Sequence, residues 1–93
     1  MTHVAYQLKV ERQAFKQLKR LPLPDRTRVT EAILALERDP FPAGKTGKRL
    51  ENMGGLLRLR VGDYRVLYEE LEDEIHVLAV VPRRALERWL RRM

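Results

Sequence analysis

Two alternating runs of apolar and charged residues meet at Gly62-Asp63 and predict a β-hairpin with a tight turn. Successive side chains on a strand point to opposite faces, so each run has one apolar face. The apolar positions are Leu57, Leu59 and Val61 on the first strand, and Tyr64, Val66 and Tyr68 on the second. If these faces align, Arg58, Arg60 and Arg65 crowd together on the opposite, open face.

Periodicity elsewhere predicts two more main strands and three helices. Alternation or a continuous apolar run indicates a strand, and apolar residues three and four apart indicate a helix. The predicted strands are Val4–Val10 and Ile75–Val81, the latter interior to the sheet; the predicted helices are Glu11–Arg20, a helix from Pro24-Asp25 to just before Asp39-Pro40, and Arg83–Arg92.

Each of the first two helices has a single apolar stripe, so both are expected to cover the same face of a sheet. The stripes are Ala14, Phe15, Leu18 and Leu21, then Val29, Ala32, Ile33 and Leu36. Residues 1–93 are therefore predicted to form one α+β domain in the order β-α-α-β-β-β-α. Its sheet is four-stranded and largely antiparallel, with the helical pair on one face, a short C-terminal helix, and an open, basic second face.

The segment from Phe41 to Gly55 is predicted to be a loop because proline and glycine recur along it. Its breakers are Pro42, Gly44, Gly47, Gly54 and Gly55. Leu50 is the expected buried anchor of this loop, and Lys45, Lys48 and Arg49 add positive charge to it.

Composition narrows the classes of function. The 93 residues contain no cysteine, which excludes disulfides and thiolate metal sites. No apolar run approaches the ~20 residues of a membrane span, and no signal sequence opens the chain, so a soluble cytoplasmic protein is expected. The net charge of +6 favours a polyanionic partner.

Two groups of arginines are candidates for contact with that polyanion. Like charges on neighbouring strand positions repel, so Arg58, Arg60 and Arg65 indicate either an anionic ligand or a solvated sheet face. Arg83 and Arg84 lie in the predicted first turn of the last helix, where a cation is disfavoured by roughly 0.3–1 kcal/mol. They indicate a phosphate site at that helix N-terminus, or exposed side chains without a role.

Two other residues are weaker candidates. Trp89 is expected to pack in the core more than to stack on a base, since the single tryptophan of a small domain usually packs. His76 lies in an apolar strand and is expected to be a hydrogen-bonded sheet histidine more than a catalytic base.

The chain resembles the RelE/ParE superfamily of bacterial toxins over nearly its whole length. The residues that carry the resemblance are Lys48-Arg49-Leu50, Gly55-Leu56, the run Leu59 to Glu69 with its Gly-Asp-Tyr-Arg turn, the apolar strand, and the Arg-Arg-rich end; Arg58 to Tyr68 is the most specific part. The resemblance implies a toxin that a cognate antitoxin neutralises. RelE-like members cut mRNA in the ribosomal A site, without metal or other cofactor, by attack of a ribose 2′-hydroxyl on the adjacent phosphate, whereas ParE-like members inhibit DNA gyrase.

Carried over position by position, the resemblance implies that Arg58, Arg65 and Arg84 are catalytic, with Arg83 as the alternative to Arg84. The residues that it implies for RNA binding are Lys48, Arg49, Arg60, Arg83 and Trp89. The family lysine that would act as general base falls on Leu56, and the family tyrosine falls on Trp89 or Leu90. Arginine hardly deprotonates, so the base is unassigned, with Lys48 and a group on the ribosome as candidates.

The sequence therefore predicts a RelE-type, ribosome-dependent mRNA endonuclease. The first alternative is a ParE-like inhibitor of gyrase, and the second is a degenerate toxin that only binds its antitoxin and operator DNA. The expected partners are the antitoxin, the ribosome and mRNA, with operator DNA bound through the antitoxin complex and no membrane. The antitoxin is expected to lay apolar and acidic residues over the open face and the flanking helices.

Overall fold

A computed structural model describes residues 6–41, 47–49 and 55–92. Its elements in chain order are β1 (Gln7–Val10), α1 (Arg12–Lys19), α2 (Leu23–Ala35), β2 (Gly47–Arg49), β3 (Leu56–Val61), β4 (Tyr64–Leu71), β5 (Glu74–Pro82), a 3₁₀ turn (Arg83–Ala85) and α3 (Leu86–Arg91). The strands lie side by side in the order β1-β5-β4-β3-β2. Neighbours are antiparallel except β1 and β5, which are parallel. The predicted α+β class, the order of the main elements and the interior position of β5 are confirmed.

The predicted loop from Phe41 to Gly55 contains an additional strand. The three residues of β2 pair antiparallel with β3 and form an edge of the sheet, which has five strands in the described ranges instead of four. The sequence does not predict this strand, because it begins with Gly47 and its apolar and polar residues do not alternate. Lys45 and Leu50 lie outside the described residues, as does Val4 of the first predicted strand.

The core lies between the helices and one face of the sheet. The hairpin residues assigned to the apolar face all pack there, together with Ala14 of α1 and Val29, Ile33 and Leu36 around α2. Pro24 and Asp25 lie in the first turn of α2, as predicted. An amide in this turn has no partner within the helix, so a proline there costs no hydrogen bond, and an acidic residue complements the positive end of the helix. The division of the hairpin into two faces is therefore confirmed.

Phe15 does not belong to this core, which corrects its assignment to the apolar stripe of α1. Its side chain is 52% exposed, and the ammonium of Lys19 lies 5.4 Å from its ring centroid. Ala14 and Leu18 face the sheet, and a residue one step after Ala14 is rotated by about 100° away from that direction. Phe15 therefore lies at the margin of the stripe and not within it.

The second face of the sheet is only partly open, which corrects the expectation of a wholly open face. Leu56, Leu67, Ala79 and Val81 are buried there, beneath Ala85, Leu86, Trp89 and Leu90. Removing these apolar strand residues from water is favourable, and the C-terminal segment folds back over them and buries them. The open part of the face is consequently restricted to its arginine-bearing end.

One edge of β5 is paired over only half of its length. The ladder with β1 ends at Val10 and Val77, after which the chain enters α1. At Val80 the backbone amide donates instead to the side-chain Oε1 of Gln17 on α1, at 2.7 Å. A groove of about 470 Å³ runs along this edge between α1 and α3, and Trp89 lines it.

Both tight turns of the sheet have a residue with positive φ at their first central position. In the β3–β4 turn it is Gly62, at φ +56°, a conformation that glycine adopts without strain. In the β4–β5 turn it is Glu72, at φ 58°. None of the helices in the described ranges is long and apolar enough to cross a membrane.

Replacing Tyr68 with phenylalanine is expected to destabilise the fold by about 1–2 kcal/mol. The Tyr68 hydroxyl is fully buried and donates to the carbonyl of Pro40 at 2.7 Å, joining β4 to the segment after α2. Its loss leaves a buried carbonyl without this donor. The matched control is Tyr64→Phe, because the Tyr64 hydroxyl makes only a 3.4 Å contact with Asp25. Chemical denaturation should show less than about 0.5 kcal/mol for the control; equal losses in the two variants would contradict the role assigned to Tyr68.

Candidate anion-binding site

The three arginines of the hairpin lie on one face of the sheet, as predicted. Arg60 is directly opposite Arg65 across the β3–β4 ladder, and Arg58 is opposite Leu67. In an antiparallel pair, opposite residues share a face and their side chains are close. The register thus brings two guanidinium-bearing residues into a direct cross-strand pair, with the third two residues away on β3.

Arg65 is buried, not exposed, which corrects the expectation of an open position. Only 6% of the residue is accessible, and its Nη1 donates to the carbonyls of Gly62 at 3.0 Å and Tyr64 at 2.9 Å. Burial lowers the pKa of the guanidinium, and the nearby Arg58, Arg60 and Arg83 lower it further, while Asp63 acts in the opposite direction. Arg65 therefore holds the hairpin turn while it lies within a concentration of positive charge.

Arg58 and Arg60 differ in their surroundings although both belong to β3. Arg60 is exposed, whereas Arg58 is partly buried. The Nε atom of Arg58 is buried and has no hydrogen-bond partner among the described residues. A buried donor without a partner costs free energy, of the order of 1–3 kcal/mol.

The structure separates the roles of Arg83 and Arg84. The backbone amide of Arg83 donates to the carbonyl of Asp63 at 2.7 Å, which joins the segment after β5 to the hairpin turn. The guanidinium of Arg83 is among those that lower the pKa of Arg65, whereas the charge of Arg84 acts on the phenol of Tyr64. The bond to Asp63 and the effect of its charge on Arg65 thus favour Arg83 over Arg84 as a neighbour of the three hairpin arginines. We define the arginine cluster as Arg58, Arg60, Arg65 and Arg83.

The predicted closing helix begins three residues later than expected, so the two arginines are not in its first turn. Arg83 and Arg84 lie in a 3₁₀ turn and precede α3, which has six residues. The amide of Arg83 is already bonded to Asp63. Pro82 supplies no amide either, so the positive charge here comes from side chains.

The other candidate residues are less closely connected with the arginine cluster. The backbone of Lys48 is paired with Arg58 and that of Arg49 with Leu57. Leu56, at the position of the family lysine, is 2% exposed in the apolar cluster, and Trp89 and Leu90 pack against that cluster. Trp89 of α3 thus packs against the apolar cluster, as expected, and covers the same face of the sheet on which the arginines lie.

His76 is held by neighbouring carboxylates, as expected of a sheet histidine. Its Nε2 lies 2.8 Å from Oε1 of Glu74, and its Nδ1 lies 3.8 Å from Glu11. The hydrogen bond with His76, followed by the effect of Lys9, holds the pKa of Glu74 below its usual value. This group belongs to the opposite end of β5 from the arginine cluster.

Sequence reasoning missed three residues beside the hairpin turn: Asp25, Asp63 and Tyr64. The hydroxyl of Tyr64 lies 3.4 Å from Oδ2 of Asp25, whose Oδ1 accepts from Nη2 of Arg28 at 2.7 Å. Burial and then Asp25 raise the pKa of Tyr64. Asp63 and Tyr64 were visible in the Gly-Asp-Tyr-Arg turn, but the contact with Asp25 joins residues 39 apart in sequence.

The arginine cluster can bind an anion and neutralise charge that develops on it, because guanidinium groups donate in pairs to phosphate oxygens. It is poorly suited to remove a proton, since arginine remains protonated. The arrangement is therefore specialised for charge stabilisation.

Comparison with known proteins gives consistent results. A family model described as the ParE toxin of type II toxin-antitoxin systems, parDE, matches residues 8–86. The chain is 31% identical over 81 residues to the RelE1 protein of Methanocaldococcus jannaschii, covering 85% of this chain and 90% of that protein.

Solved structures are similar over most of the chain. A chain of the archaeal RelE–RelB complex from Pyrococcus horikoshii OT3 is 35% identical, with a TM-score of 0.75, and the match covers 86% of this chain and 97% of that one. A chain of the toxin–antitoxin complex RelBE2 from Mycobacterium tuberculosis is 28% identical, with a TM-score of 0.74 and coverage of 85% and 99%.

The different surroundings of Arg65 and Arg60 predict different effects of their substitution on stability. Arg65→Met is expected to lower the free energy of unfolding by about 1–3 kcal/mol, because two carbonyls lose their donor. Arg60→Met removes an exposed charge opposite Arg65 and is expected to change stability by less than about 0.5 kcal/mol or to increase it slightly. Urea denaturation of the two variants and the parent measures both changes, and a neutral Arg65→Met would show that Arg65 does not hold the turn.

Proposed function

We infer the function of this chain from one premise: it belongs to the family of ParE toxins of type II toxin–antitoxin systems, within the RelE/ParE superfamily. It is a toxin of a toxin–antitoxin pair and is RelE-like in sequence and structure. We propose that it acts as a ribosome-dependent endoribonuclease, which cuts mRNA in the A site by attack of a ribose 2′-hydroxyl on the adjacent phosphate.

The arginine cluster carries this proposal. As the 2′-oxygen attacks, negative charge builds up on the phosphate oxygens, and preorganised positive groups stabilise that charge. Arg65 is fixed by two hydrogen bonds to the turn, so its guanidinium needs little reorganisation when substrate binds. Arg60 and Arg83 are exposed, so these two residues supply the first contacts with phosphate.

The ribosome is part of the proposal because the chain has no assigned general base: the resemblance aligns the family lysine with Leu56. Cleavage requires a proton acceptor for the 2′-hydroxyl and a donor for the leaving 5′-oxygen, and arginine is unsuited to the first role. We propose that groups of the ribosome take the proton of the 2′-hydroxyl and protonate the leaving 5′-oxygen; Lys48 is the alternative acceptor, and with it RNA alone would be cut. With the ribosome as acceptor, RNA alone binds to the arginine cluster but is cut slowly.

Arg83→Gln is expected to reduce ribosome-dependent cleavage by roughly 10²–10³-fold, because it removes a charge from the transition state. Arg83 is exposed, so the variant should remain as stable as the parent within about 0.5 kcal/mol. Arg91→Gln, an equal change of charge at an exposed position of α3, is the control and should cut normally. Cleavage is measured by primer extension, on mRNA that is being translated by ribosomes and on the same mRNA without ribosomes. Equal activity of Arg83→Gln and Arg91→Gln would contradict the proposal.

Inhibition of DNA gyrase is the second candidate, and the match to the ParE toxin family model favours it. The missing lysine also fits a toxin that acts by binding. The two functions are distinguished by examining the transcripts and the DNA-damage response of cells that express the toxin. Intact transcripts together with a DNA-damage response indicate inhibition of gyrase, whereas transcripts cut within translated frames indicate the ribonuclease. A chain that does neither yet binds its antitoxin is the degenerate toxin.

The proposed partner in either case is an antitoxin with an apolar and acidic C-terminal segment. The net charge of +6 favours acidic residues in the partner. Phe15 of α1 and Leu34 of α2 are 52% and 50% exposed, and such apolar side chains on the helices suit the apolar part of that segment. A segment that folds on binding would cover both kinds of surface.

Phe15→Ser is expected to weaken the complex with the antitoxin by about tenfold or more, because an exposed aromatic anchor is lost. Lys16→Ser on the next residue of the same helix is the control and should change affinity mainly through its salt dependence. Co-expression with the neighbouring reading frame, followed by purification and calorimetry, measures both. Failure of any small protein to co-purify with the unmodified chain would contradict the partner proposal.

A further inference from the structure

The turn of the β3–β4 hairpin, residues 62–64, lies between two arginines from different layers of the fold. Within the hairpin, Nη1 of Arg65 donates to the carbonyls of Gly62 and Tyr64. From the helical layer, the guanidinium of Arg28 on α2 lies against Gly62. None of the candidate sites predicted from the sequence included Arg28.

The guanidinium of Arg28 packs flat on the glycine of this turn. A Cβ atom at Gly62 would lie 3.6 Å from Nη1 of Arg28 and 3.8 Å from both Cζ and Nη2. Nearly equal distances to three atoms of a planar group put the glycine over the face of that plane and not at its edge. The turn therefore has a planar cation in van der Waals contact with the residue whose φ is +56°.

Asp25 holds the Arg28 guanidinium in this position. Its Oδ1 accepts from Nη2 of Arg28 at 2.7 Å, and its Oδ2 lies 3.4 Å from the hydroxyl of Tyr64. The side chain of Asp25 is only 26% exposed, although that of Arg28 is 62% exposed. The first turns of α2 thus contact Gly62 and Tyr64, the same two residues whose carbonyls hold Arg65.

We propose that Asp25 and Arg28 are positioning residues for the arginine cluster, because they fix the turn that orients Arg65. The proposal rests on the proposed ribonuclease function and extends it to the helical layer. A guanidinium that takes its orientation from two carbonyls moves when those carbonyls move, and misplacing a group that stabilises the transition state costs rate. The carbonyl of Asp63, which accepts from the amide of Arg83, belongs to the same turn.

The chemistry of the pair favours a positioning role over direct contact with RNA. The charge of Arg28 is balanced by Asp25, so the pair offers a phosphate no net positive charge. A role in global stability is also disfavoured, because exposed ion pairs contribute little to the stability of a fold. The effect of the pair is therefore expected in the conformation of the turn.

NMR of the guanidinium groups in the full chain measures the orientation of Arg65 directly. Two hydrogen bonds from Nη1 slow the rotation of this guanidinium, so separate Nη signals are expected for Arg65 in the parent. Arg28→Met removes the planar cation from the turn and should broaden or merge these signals. Arg91→Met, at an exposed position of α3, is the matched control and should leave them unchanged. Unchanged Arg65 signals in Arg28→Met would overturn the proposal.

A second variant keeps this measurement decisive if Arg28→Met does not fold. Asp25→Asn retains an acceptor for the Tyr64 hydroxyl but removes the charge that holds Arg28. It should change the Arg65 signals in the same direction and to a smaller degree. Signals identical to those of the parent would contradict the role assigned to the pair.

The kinetics of ribosome-dependent cleavage separate positioning from binding. Arg28→Met should lower kcat about two- to fivefold at an unchanged KM, which is the range expected from an exposed ion pair. Arg28→Lys keeps a cation beside Asp25 but has no planar group to pack on Gly62, so its kcat should lie between those of Arg28→Met and the parent. The midpoint of urea denaturation should be the same in Arg28→Met and Arg91→Met.

The contrary outcomes are distinct from one another. A higher KM at an unchanged kcat would show that Arg28 binds RNA directly, and a lower urea midpoint with intact Arg65 signals would show a merely structural role. Either result would overturn the proposal. If the parent cuts no RNA at all, the ribonuclease function fails, and the NMR comparison still decides whether Asp25 and Arg28 orient Arg65.

Discussion

The site depends on the hydrogen bonds by which one buried guanidinium holds a two-residue turn. Arg65 donates to the carbonyls on either side of Asp63, and the carbonyl of Asp63 in turn accepts from Arg83. The turn is thus fixed from β4 and from the segment after β5 together. Because the fixing group is itself cationic, the bonds that define the local fold also concentrate positive charge, and the cross-strand position of Arg60 adds to it.

Much of the fold follows from periodicity, since strands and helices with one apolar face leave few alternative arrangements. The hairpin register, the interior position of β5 and the helical cover were predictable for this reason. Three features were not. The strand at Gly47–Arg49 has no apolar alternation in its sequence, the margin position of Phe15 depends on helix rotation, and the return of α3 onto the second face depends on packing over long separations.

The candidate site was predictable in composition but not in detail. Alternation brought Arg58, Arg60 and Arg65 to one face, yet it carried no signal that Arg65 would curl back to the turn and become buried. The preference for Arg83 over Arg84 depended on the bond of the Arg83 amide to Asp63, which neither pattern nor propensity specifies. The contact between Tyr64 and Asp25 required the tertiary structure.

The chemistry of the site suggests a division of labour between the toxin and its target. A cluster of four guanidinium groups can hold and polarise a phosphodiester but has little means of taking a proton. Under the proposed function, activity would be restricted to places where a second macromolecule completes the site. Such dependence limits damage to free RNA without requiring a separate inhibitory segment.

The bond between Gln17 and the amide of Val80 has a consequence for the solution behaviour of the protein. Beyond Val77, β5 has a strand neighbour only on its β4 side in the described ranges, and an unpaired strand edge is a template for pairing with another chain. The glutamine side chain mimics one peptide unit of the missing neighbour and occupies the amide that an incoming strand would need. The same amide is therefore not available to a strand of another chain at this position.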